Sequence, residues 1–193
     1  MPEEQPGQLG ALPHGATAGA HPHRPPEVEV EAEVGQIRLV RPDRGASAAR
    51  PDRGANLTVL IIEVSGGHVQ GLLCGDDVAL ATETDAVLEP RQSGCPRRLL
   101  VHGDVSAAIL KTRLSQVLGA TTPEIAERIA LRGRGRDFDS RDLGRGSPII
   151  NHDDPRWEWK LEQHKRMRAV RARASELGWT LETMGAGNSD PVA

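Results

Sequence analysis

The stretch Lys111–Arg132, KTRLSQVLGATTPEIAERIALR, decides how this chain is read. Leu110, Leu114, Val117 and Leu118 recur at i, i+4, i+7 and i+8, the spacing of one helical face. Gly119 suits the left-handed residue that ends a helix. Thr122-Pro123-Glu124 then carries start signals for a second helix, a threonine N-cap and a proline at the first helical position. Ile125 and Ile129 share a face of it. The spacing predicts two helices meeting at Gly119, the first capped by Asp104 or Ser106.

Upstream, Leu57–Glu83 reads as sheet. LTVLIIEV is β-branched and apolar, Ser65-Gly66-Gly67 turns the chain, and HVQGLL pairs back. GDD makes a second turn and VALATET a third strand, giving a small antiparallel meander. Arg97–His102 adds a short strand, LLVH. Further back, EVEVEAEV (27–34) alternates valine with glutamate, as a half-buried strand does, and Ile37–Val40 continues it past Gly35. RPDRGA recurs at Arg41 and Arg50, too few copies for a solenoid, so the segment reads as a linker. Met1–Pro26 is rich in Pro, Gly, Ala and His and has too little apolar surface to offset its ordering entropy.

Downstream, Gly133–Pro148 is a loop of glycine, arginine and aspartate. Asp154-Pro155 starts a helix that runs to about Leu177, before Gly178. Its apolar stripe is Trp159, Met167, Val170, Ala174 and Leu177. Arg166, Arg168, Arg171 and Arg173 flank the stripe. They suit either the lining of a DNA or RNA site or the wet face of a packed helix. The domain plan is a tail (1–26), an acidic strand and linker (27–56), a sheet region (57–103), a basic helical region (104–182) and a second tail (183–193). The fold class expected is α+β: a small antiparallel meander followed by helices.

Composition narrows the function. A net charge of −3 hides an acidic first half and a basic second half. With three Trp, one Phe and no Tyr, stacking platforms for single-stranded nucleic acid are few. Two cysteines make no disulfide framework. No apolar run is long enough for a membrane span, and the first residues lack the pattern of a secretory signal, so the expected location is cytoplasmic.

The Lys111–Ala130 segment resembles the helix-turn-helix motif of bacterial and phage DNA-binding regulators. Leu114, Ser115, Leu118, Gly119, Ala120, Ile125 and Ile129 fall at its packing and turn positions. Ser115 stands where alanine is usual. The resemblance implies that Thr121, Thr122, Glu124 and Arg128 face the major groove. Arg132, Arg134 and Arg136 then hold phosphates. Glu124 and Glu127 oppose this by placing negative charge near phosphate.

The expected function is a small DNA-binding protein, a transcriptional regulator on double-stranded DNA. It would act as a homodimer through the 57–83 sheet, because paired half-sites need two copies. No cofactor, catalytic residue or metal ligand is expected. The alternative is a non-enzymatic interaction or structural module. A third reading is a metal-dependent hydrolase, should His102 and Asp104 converge with His152 and Asp153.

Overall fold

A computed structural model describes residues 31–41, 56–136, 142–173 and 175–177. The expected tails, the linker after Arg41 and the first half of the acidic strand at 27–34 lie outside them; its described half, 31–34, is not strand but leads into a turn before Gln36. The strands are β1 (Gln36–Val40), β2 (Leu57–Ser65), β3 (His68–Gly75), β4 (Asp85–Leu88), β5 (Leu99–Leu110) and β6 (Leu114–Ala120). The helices are α1 (Pro90–Ser93), α2 (Pro123–Gly133) and α3 (Pro155–Arg168). All six strands form one antiparallel sheet in the order β4-β5-β3-β2-β1-β6.

The β2–β3 hairpin turns at Gly66-Gly67, with Ser65 opposite His68. Its sheet is covered on both faces, and this explains the unbroken apolar run Val59-Leu60-Ile61, because adjacent strand residues point to opposite sides. Leu60 and Leu72 face α2 and pack with Ala126, Ile129 and Ala130. Val59, Ile61 and Leu73 face α3 and pack with Met167 and Val170.

Both helix starts follow the expected caps. The Thr122 hydroxyl accepts from the Ile125 amide at 3.4 Å. The Asp154 carboxylate accepts from the Arg156 amide at 3.0 Å. α3 ends at Arg168, short of the expected Leu177. The chain beyond it lies along β5, where the Ala172 amide donates to the Ala108 carbonyl at 2.8 Å.

The helical region expected after residue 104 is corrected: most of it is strand. β5 runs on through Asp104 and Ser106, the two expected caps, because Val105, Ala107 and Ile109 alternate into the α3-side core. The third meander strand at VALATET is a short 3-10 turn (Val78–Leu80), and the strand that pairs with β5 is Asp85–Leu88.

The helix expected from Leu110 to Leu118 is a 3-10 turn (Lys111–Arg113) followed by β6. Leu114 packs in the α3-side core and Leu118 against the α2-side core. Two register irregularities between β1 and β6 accompany that change of face. A spacing of four residues thus imitates one helical face while serving two faces of a sheet. The partner that makes β6 a strand is β1, with Arg38 opposite Val117 and Val40 opposite Leu114, about 75 residues back along the chain.

With the first helix gone, the helix-turn-helix is not formed, and Gly119 is no turn. It sits inside β6 at a close approach to the chain after α1. A Cβ at Gly119 would meet the Ser93 carbonyl oxygen at 2.2 Å and Cys95 Sγ at 2.9 Å. The sheet therefore curls until the β4–β5 connection touches β6. The outer edge of β4 is covered by the 142–148 segment, through bridges Thr82–Ser147 and Val87–Gly144.

Candidate functional site

The residues implied to read DNA are placed for other work. Thr121 is buried, and its amide donates to the Gly35 carbonyl at 2.9 Å. Thr122 is engaged as the α2 cap. Glu124 is exposed in the first turn, its carboxyl held below the usual range by a hydrogen bond from the Thr122 side chain. Arg128 grips Asp142 with two bonds, at 2.6 and 3.0 Å. Arg132 donates to the carbonyls of Asp85 at 3.0 Å and Gly144 at 3.4 Å. These two arginines fasten the 142–144 segment to α2 and β4. Arg134 and Arg136 are exposed past the end of α2, and Arg134 lines a cavity of about 140 Å³ that also holds Asp104.

The two polar clusters singled out in the sequence do not converge. His152 lies edge-on to Trp157, with ring centroids 5.1 Å apart, on the exposed turn before α3. His102 is sealed inside the protein. Among the described residues no group of three or more His, Cys, Asp or Glu is placed to hold a metal ion.

What His102 does meet is a buried network that nothing in the local sequence announced. Asp85 on β4 pairs directly across from His102 on β5. His102 Nδ1 donates to Asp85 Oδ1 at 3.2 Å. The Thr82 amide and hydroxyl donate to Asp85 Oδ2 at 2.8 and 2.9 Å. Lys160, from the first half of α3, donates to Asp85 Oδ1 and to Asp104 Oδ1, the latter at 2.7 Å. The Trp159 ring packs edge-on against His102 at 4.9 Å. Between residues 102 and 105 β5 carries extra residues relative to β3, since Leu72 pairs with Ser106 but Cys74 with Val101. That bulge accompanies the reach of both His102 and Asp104 to one lysine.

Chemically this is a clasp. The ammonium stands where a cation between two carboxylates would stand, and Asp85 and His102 have no exposed surface for a substrate to reach. Burial by itself pushes the Asp85 carboxyl up. The His102 hydrogen bond and the Lys160 charge more than offset burial, and the carboxyl titrates at about 2. Because this lies below the ordinary value, Asp85 contributes stability that is complete above about pH 4 and is lost as the pH falls toward 2. A depression of just under two units is worth about 2–3 kcal/mol. Acid titration followed by circular dichroism should show stability declining through that window in the wild type, and a flatter decline in Asp85→Asn. Equal slopes for the two would remove Asp85 from the account.

A second arrangement is open to solvent. Between Lys165 and Arg173 the chain carries five cationic residues and no carboxylate. Lys165 pairs loosely with Glu162 and Arg166 with Gln163. Arg168, Arg171 and Arg173 have no ion-pair partner among the described residues. Arg168 and Arg171 border a cavity of about 210 Å³ with Ser106, Ala107, His164 and Met167. The backbone holds this rim in place. Ala172 is bonded to β5, and Arg113 donates to the Val170 carbonyl at 3.3 Å. The expectation that these arginines are only the wet face of a helix fails at Arg171 and Arg173, which lie beyond the helix end.

No protein-family model matches this chain, and no curated protein is similar enough to match it. No helix among the described residues is long and apolar enough to cross a membrane.

Proposed function

We propose that this protein binds DNA by its phosphate backbone, through the basic segment that ends α3 and follows it. The observation that carries the reading is the run of five cations from Lys165 to Arg173 without a carboxylate, three of them lacking an ion-pair partner among the described residues. Guanidiniums without an ion-pair partner, with Arg168 and Arg171 on one cavity rim, are what a polyanion needs, since phosphate contacts supply most non-specific affinity. No Phe, Tyr or Trp lines the adjoining cavity, so the large stacking platforms for bases are missing there. The reading places contact on α3, not on α2, where Arg128 and Arg132 are occupied. A homodimer is no longer required, because the case for it rested on two helix-turn-helix half-sites. A cytoplasmic location, with DNA at hand, belongs to this reading.

Fluorescence anisotropy with a labelled duplex tests it. Changing Arg168, Arg171 and Arg173 together to alanine should weaken binding at low salt more than tenfold. The salt slope should fall by about 2 to 3, near 0.9 for each lost phosphate contact. Undiminished affinity in that variant contradicts the proposal. A second reading, a protein-interaction surface, is favoured by Trp157 and Leu161, one turn apart on α3 and 40% and 46% exposed.

A further inference from the structure

The 210 Å³ cavity beneath the basic rim has a shape and lining that the polyanion reading alone does not use. Its donors, His164, Arg168 and Arg171, come from α3 and the segment just past its end, while β5 forms the opposite wall. Its floor is apolar and closed, because Met167 and Ala107 are buried in the α3-side core. No carboxylate lines it. A polar-rimmed pocket with an apolar floor strengthens charge–charge attraction over that on an open surface.

Resting on the DNA reading, we infer that this pocket seats a single terminal phosphomonoester, the phosphate at a DNA strand end. Size supports this. At roughly 30 Å³ for each water-sized oxygen, the four oxygens of a terminal phosphate occupy somewhat over half the cavity. The remainder takes the first carbons of the sugar. A phosphodiester inside a continuous strand must enter and leave, and a pocket floored by Met167 and Ala107 offers it no exit on that side. Charge supports it as well. A terminal phosphate carries nearly two negative charges, against one for a diester, and two planar guanidiniums match such a group with paired hydrogen bonds. His164 supplies a further ring N–H to the same cavity.

The test compares internally labelled duplexes of one sequence that differ only in their ends: 5′-phosphate, 3′-phosphate, or hydroxyl at both. Tighter binding of either phosphorylated end, by about tenfold, is expected, and the better end identifies the strand polarity that the pocket accepts. Inorganic phosphate at millimolar levels should erase that preference. In Arg171→Ala with His164→Ala the ratio between phosphorylated and hydroxyl ends should drop to within about twofold, with the thermal transition checking that the variant folds. Equal affinity for all three duplexes overturns the pocket assignment and leaves backbone binding standing. Binding of none overturns both.

Discussion

Replacing Lys160 by alanine is expected to destabilise the protein by about 3–5 kcal/mol, because it strands a buried Asp85 carboxylate. Among the described residues, Lys160 is the side chain that joins α3 to both Asp85 on β4 and Asp104 on β5. The lysine is 7% exposed and Asp85 is fully buried, so water cannot replace the lost partner without opening the core. For a chain of this length such a loss should lower the melting temperature by roughly 10 °C or more. The carboxylate is the source of the cost, so removing its charge as well should recover part of it. Lys160→Met with Asp85→Asn keeps the lysine stem's packing and the acceptor for the Thr82 amide, and should be more stable than Lys160→Met alone. A melting curve for Lys160→Ala within about 1 kcal/mol of wild type would mean that the clasp is not holding α3.

Gly119→Ala is expected to cost about 3 kcal/mol, and Gly119→Val more, since the new Cβ meets a main-chain carbonyl and the Cys95 sulfur instead of a flexible side-chain tip. Gly119→Asn separates this account from the helical one. A left-handed cap in a helix-turn-helix accepts asparagine with little loss. Gly119 is not among the glycines with positive φ, which among the described residues are Gly35, Gly94 and Gly135. Asparagine there should therefore be at least as damaging as alanine. Urea denaturation of the three variants gives the ranking, and an asparagine variant as stable as wild type would restore the turn reading.

Local signals were legible where the structure they specify is local. The β2–β3 hairpin follows from its glycine turn, and α2 and α3 from Thr122 and Asp154 with their prolines. β5 and β6 were misread because they are strands only by virtue of distant partners. The alternation Val105-Ala107-Ile109 was present in the sequence, but Leu110-Leu114-Leu118 beside it carried a competing helical period. No motif spacing joins Asp85, His102 and Lys160, which are brought together across as many as 75 residues. The basic segment after Met167 was visible as charge. Its place beside a cavity depends on Ala107 of β5, a strand that the helical spacing conceals.

Zero-length photo-crosslinking of bound duplex DNA, with the attached peptides identified by mass spectrometry, tests the central claim most directly. Crosslinks should fall on the segment His164–Arg173. Crosslinks concentrated on Thr121–Arg136, with none near Arg168 or Arg171, would contradict the account.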